Sequence, residues 1–211
     1  MTRKKLLILT LSFCLLDTLA PLAATPEIRI LQRRAAQDAA VVLPADASTI
    51  LRYTVSDFNE DCRESAGRRL PVVTTLREAG SRPVILPAVI GKSPLLDRLI
   101  AEKRIDVDSI RGEWESFAII PVARPFADYP AIPEALIVAG SDERGAMYGL
   151  YEVSERLLGT DPQKFWTDAV PHRVKSARWD QGMVVQGPPT FRFRGWFVND
   201  EHALLGWHHR E

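Results

Sequence analysis

The sequence predicts an α/β sandwich, and three observations lead there. Short apolar runs end at glycine turns at 83–91 and 135–140. Each turn leads straight into a capping residue and then a stretch with helical apolar spacing. The composition is that of an ordinary globular chain, with 46% hydrophobic and 26% charged residues. Strand, short loop and helix in repetition is the pattern of helices packed on a sheet. The two helical crossovers make parallel pairing possible.

Charge narrows the function. The 211 residues carry Lys+Arg 27 against Asp+Glu 27. Proteins that grip phosphate backbones or anionic lipid carry a basic excess, so nucleic acid and a membrane surface are not the expected partners. Two cysteines exclude a disulfide framework and a multi-cysteine zinc module.

The first segment is an address. Arg3, Lys4 and Lys5 precede an apolar run from Leu6 to Leu16, and Ala20, Pro21, Leu22, Ala23 and Ala24 follow. Basic, apolar and small-residue regions in that order make a secretory leader over 1–24, and the destination is secreted or periplasmic. The run is shorter than the roughly 20 apolar residues that span a bilayer. Removing 1–24 leaves 24 basic and 26 acidic residues, net −2, with Cys62 as the single cysteine. A single thiol in a secreted chain is expected to be buried or left idle, and Asp61 and Glu64 beside Cys62 oppose the thiolate that a catalytic role would need.

The elements follow in chain order. Val41-Val42-Leu43 and Ile50-Leu51-Arg52-Tyr53 read as two strands or a hairpin around Pro44, Asp46 and Ser48. Val55 to Arg68 has few breakers and reads as a helix. Pro83 to Ile90 is apolar and β-branched, which fits a buried strand, although Pro87 in its middle counts against a central position. Ser93 caps the next helix with Pro94 in its first turn, and Leu95, Leu96, Leu99 and Ile100 form its apolar face. Glu113 to Val122 is a strand, and Ala135 to Ala139 is the clearest one. Asp142 or Ser141 caps a helix from Glu143, with Met147, Leu150, Tyr151, Val153, Leu157 and Leu158 as its core face and Gly159 as its end. From 161 to 190, Pro162, Pro171 and Gly187-Pro188-Pro189 break the texture, and the segment reads as a connector. Arg194 to Val198 is a further strand.

Three motifs invite chemistry. Gly91-Lys92-Ser93 lacks the earlier glycine that lets a loop wrap phosphate, since position 86 is Leu86, and is a strand-to-helix turn. Gly140-Ser141-Asp142-Glu143-Arg144-Gly145 lacks dinucleotide spacing. Its Gly145 is placed to let the helix approach the sheet closely. Asn199-Asp200-Glu201 ends the last strand, where carboxylates and amides can hold sugar hydroxyls or act as acid and base, or can simply form a polar turn. His202, His208 and His209 lack the spacing of a metal site, and no cofactor is implied.

An ordered set of segments resembles the N-terminal part of glycoside hydrolase family 115, the xylan α-1,2-glucuronidases. The set is Ile90 to Asp97, Trp114-Glu115-Ser116-Phe117, Ile137 to Gly145 with Tyr148 to Tyr151, Trp166 to Pro171, and Arg194 to Glu201. The strand that leads into Gly-Ser-Asp-x-Arg-Gly is also similar to the auxiliary domain of hexosaminidase-type enzymes.

The resemblance implies an auxiliary α/β domain over 25–160, a connector over 161–190, and the start of a (β/α)8 barrel over 191–211. Phe191 to Val198 would be the first barrel strand of an incomplete barrel. Asn199, Asp200 and Glu201 would contact substrate, which is glucuronoxylan or its oligosaccharides. The reaction implied is removal of (4-O-methyl)glucuronic acid by inversion. The catalytic carboxyls would lie beyond Glu211, leaving the chain alone inactive. The alternative is a non-catalytic α/β module that binds carbohydrate or a partner. Exposure of Trp166, Trp179, Trp196 and Phe197 distinguishes a surface covered by a further domain from a sugar platform.

Overall fold

The computed structural model describes residues 26–32, 37–164, 166–167 and 169–195. The leader over 1–24, the part of the expected Phe191–Val198 strand from Trp196 onward, and Asn199, Asp200 and Glu201 lie outside the described residues; the described part of that expected strand, 191–195, is irregular chain rather than strand, with Arg194 Nη1 folded back onto the Phe191 carbonyl. The α/β class is as the sequence predicts.

A first strand, β1 (Ile28–Leu31), stands apart from the main sheet. The chain then runs through β2 (Ala40–Val42), α1 (Thr49–Ala66), β3 (Val72–Val73), α2 (Leu76–Ala79), β4 (Val84–Val89) and α3 (Pro94–Ala101). It continues through β5 (Phe117–Ala123), β6 (Glu134–Gly140), α4 (Glu143–Leu158), β7 (Ala177–Trp179) and β8 (Val184–Gln186). Six strands form a mixed sheet in the order β3-β2-β4-β6-β5-β8. β2, β3, β4 and β6 pair in parallel, while β5 runs antiparallel to both β6 and β8.

Alternation along the central strands feeds two cores. Leu86, Ala88, Ile137 and Ala139 face α3 and the loops around Ile110 and Phe126. Ile85, Leu136 and Val138 face α1 and α4 through Val55, Phe58, Leu150 and Val153. Every residue of β4 and β6 is buried, which explains their continuous apolar runs.

Pro87 is tolerated for a definite reason. The bond from Ala40 N to the Pro83 carbonyl sets the odd-numbered positions of β4 toward β2. The β2 pairing ends at Val41↔Ile85, so the bond that Pro87 cannot donate is the one that would have extended that ladder.

Four further expectations change. Ile50 to Tyr53 is not a strand but the opening of α1. The Ser48 hydroxyl accepts from Leu51 N at 3.3 Å, and Leu51, Val55, Phe58 and Cys62 then make one buried helical face. Four residues were too few to display that period. The fifth strand begins at Phe117 rather than Glu113, because Glu115 turns the chain at φ 48. Tyr151 is not a core residue of α4; it is 38% exposed and donates to Asp57 Oδ2 on α1 at 2.7 Å. The segment read as a connector supplies two strands. β7 pairs with β1, β8 extends the main sheet, and Trp179 is 1% exposed in the core.

Cys62 is fully buried on α1. Burial, and then the Asp61 and Asp38 carboxylates, push its thiol up to about 12. In the native chain at pH 8, alkylation of Cys62 by iodoacetamide is expected to run at least about 100-fold slower than in denaturant. Mass spectrometry of the Cys62 peptide checks this, and comparable rates would show that α1 opens readily.

Candidate functional site

Three of the segments singled out in the sequence meet at one place. Trp114-Glu115-Ser116-Phe117, at the entry to β5, forms a post against which the start of α4, the end of β6 and the last described stretch all pack.

Ser116 holds the end of β6. Its carbonyl accepts from Ser141 N at 2.9 Å and from the Ser141 hydroxyl at 3.0 Å, while its own N–H donates to Ser141 Oγ at 3.0 Å. Asp142 then serves two elements at once. One carboxylate oxygen accepts from Gly145 N at 2.7 Å and caps α4, and the other accepts from Glu115 N at 2.9 Å. The Gly-Ser-Asp turn is therefore a clip between strand and helix, not a cofactor loop. Lys92 of the other glycine turn pairs with Glu143 at 3.0 Å.

Two glycines make this closeness possible. A Cβ on Gly145 would lie 2.1 Å from the Ser116 carbonyl oxygen. A Cβ on Gly187 would lie 2.5 Å from Ser116 Oγ, and Gly187 sits at φ 101, where side chains are strained.

Glu115 lies at the centre. It is one of three non-glycine residues with positive φ among the described residues, a conformation that costs about 1–3 kcal/mol. Its side chain is 8% exposed. The carboxylate accepts from Arg194 Nη2 and from Arg144 Nη1, the latter at 2.9 Å. Those two guanidiniums, Arg194 first, hold the Glu115 carboxyl below its ordinary range. The Arg194 guanidinium carbon also lies 5.6 Å from the Trp114 ring centre and 5.9 Å from that of Tyr148.

A carboxyl so held is a poor general acid near neutral pH. Its stabilisation is fully present above the unfolded value of about 4.3 and is lost as pH falls through the lower folded value. The melting-temperature gap between wild type and Glu115→Gln is thus expected to hold from pH 7 to 5 and to close below about pH 4. A gap that instead widened on acidification would contradict the pairing.

Beside the post, a cleft of about 1110 Å³ opens between α1, α4 and the stretches 160–171 and 186–194. Its lining carries eight carboxylates against two cations. Most of these acids already have partners. Asp57 takes the Tyr151 hydroxyl, and Asp61 takes the Ser154 hydroxyl and Lys164. Glu64 also receives Lys164, at 3.3 Å. No group of three or more His, Cys, Asp or Glu among the described residues could hold a metal ion. The cleft is an acidic surface.

The exposed aromatic rings divide. Trp166 is 62% exposed and Trp179 is buried, while Trp196 and Phe197 lie outside the described residues. Sequence reasoning overlooked Arg194 as a ligand of Glu115. Its signal was present, since both belong to segments of the resemblance, but no spacing rule joins residues 79 positions apart.

No protein-family model matches the sequence, and no curated protein matches it. Solved structures do. A family GH115 4-O-methyl-α-glucuronidase, BtGH115A, described as specific for decorated arabinogalactans, superposes with a TM-score of 0.57 at 22% identity over 76% of this chain. The fold is GH115-like. The matched region is 18% of that enzyme's length, so this chain spans about a fifth of it. A GH138 enzyme targeting pectin rhamnogalacturonan II matches with a TM-score of 0.35, at 16% identity over 71% of this chain and 15% of that one. A Streptomyces plicatus β-hexosaminidase matches at 0.36, with 16% identity over 63% of this chain and 19% of that one. Those two superpositions are too loose to carry an argument.

Proposed function

We propose that this chain is the N-terminal α/β domain of a secreted or periplasmic glycoside hydrolase that removes (4-O-methyl)glucuronic acid from glucuronoxylan or a similarly decorated polysaccharide. The observation that carries the reading is the convergence of Trp114 to Phe117, Gly140 to Gly145, Tyr148 and Arg194 on one post. These segments were the basis of the resemblance, and the fold likeness to a GH115 enzyme supports it independently. In this reading the domain is a scaffold. Most of the carboxylates lining its cleft are engaged in structure, and the inverting pair, set about 6.5–9.5 Å apart around a water, belongs to sequence after Glu211. Asn199, Asp200 and Glu201 hold the substrate.

The test is release of uronic acid from glucuronoxylan, followed by chromatography. The 211-residue chain is expected to release none, and the protein extended by the sequence encoded after Glu211 is expected to release it. Turnover by the 211-residue chain would overturn the scaffold role. Silence of the extended protein on glucuronoxylan and on glucuronidated arabinogalactan would overturn the activity.

A further inference from the structure

We propose that Trp114, Glu115 and Tyr148 form a receptor for the Arg194 guanidinium that fixes where the chain leaves the α/β domain, which makes Glu115 a positioning residue for Asn199, Asp200 and Glu201. The positioning role rests on the function proposed above; the receptor itself does not.

The geometry is that of a built pocket for one planar cation. Glu115 supplies a nearly buried carboxylate, which Arg144 shares from α4. Trp114 and Tyr148 supply two aromatic faces within 6 Å of the guanidinium carbon, and the Tyr148 oxygen accepts from Arg194 Nη2 at 3.4 Å. Arg194 Nη1 donates back to the Phe191 carbonyl, so the side chain braces its own backbone. A planar fork satisfies all of these at once, whereas an ammonium cannot.

The neighbouring chain is fastened on the way in. Phe117, Ala118 and Ile119 pair with Gln186, Val185 and Val184, and Gly187 lies against Ser116. Two successive attachments, the β8 ladder and the arginine receptor, therefore hold the chain as far as Arg194. Asn199 comes five residues after Arg194. A loose exit would displace those side chains, and misplacement by about 1 Å can cost about 100-fold in rate.

Trypsin offers a direct readout. Arg192 and Arg194 are both tryptic sites and both exposed, but only Arg194 is held by the receptor. General loosening of the segment would speed cleavage after both. Release from the receptor speeds cleavage after Arg194 alone. In the 211-residue chain, Glu115→Gln is expected to raise the ratio of cleavage after Arg194 to cleavage after Arg192 by about tenfold, the low end for a hydrogen bond between charged groups. Arg194→Lys, which keeps the charge and the tryptic site, is expected to raise it similarly. It serves as the second variant if Glu115→Gln fails to fold.

The extended protein supplies the second arm. There, Glu115→Gln is expected to lower kcat/KM on glucuronoxylan at least about tenfold. An unchanged cleavage ratio in a folded variant overturns the receptor, whatever the activity. A raised ratio with unchanged kcat/KM overturns the positioning role. A raised ratio in a protein whose wild type has no glycosidase activity supports the receptor and overturns the positioning role together with the proposed function.

Discussion

Gly145→Ala is expected to lower the melting temperature by about 6–12 °C, from a cost of about 3 kcal/mol. Helix propensity alone predicts the opposite, since alanine in place of glycine gains about 1 kcal/mol in a helix. The structure decides between them. The added Cβ would meet the Ser116 carbonyl oxygen at 2.1 Å. That oxygen cannot retreat freely, because it accepts from both the Ser141 N–H and the Ser141 hydroxyl. Nor can α4 slide away without losing the Asp142 cap on Gly145 N. Thermal unfolding followed by circular dichroism checks this, and a variant more stable than wild type would remove the post from the account.

Trp179→Ala is expected to cost about 4 kcal/mol, or about 8–16 °C in melting temperature. Trp179 is fully packed against the α1–α4 face of the sheet, and its indole N–H donates to the Gly182 carbonyl at 2.7 Å. Trp179→Phe separates the two contributions. It keeps much of the packing and loses one hydrogen bond, which is worth about 1 kcal/mol. If the stretch after Gly159 were only a connector, both changes would fall within about 0.5 kcal/mol of wild type.

The sequence displayed some of this and concealed the rest, for physical reasons. Strands β4 and β6 were legible because burial on both faces leaves an unbroken apolar run. Helices α3 and α4 were legible because Ser93 and Asp142 are caps that act within three residues. The start of α1 was not, since Ile50 to Tyr53 is shorter than a full helical period. Strands β7 and β8 were hidden because three residues each are too few to display an alternation. Their partners, β1 and β5, lie far away in sequence.

The site followed the same division. The resemblance named Trp114 to Phe117, Gly140 to Gly145 and Arg194 as separate segments. Their meeting depends on Glu115 adopting positive φ, which no local pattern announces for a glutamate.

The measurement that bears most directly on the account is the coding sequence after the codon for Glu211, read in all three frames. The account predicts a frame that continues for several hundred residues as alternating strand and helix patterns, with paired carboxylates at strand ends. The absence of any such frame, together with a 211-residue chain that itself binds glucuronoxylan, would contradict it and make the chain a binding module in its own right.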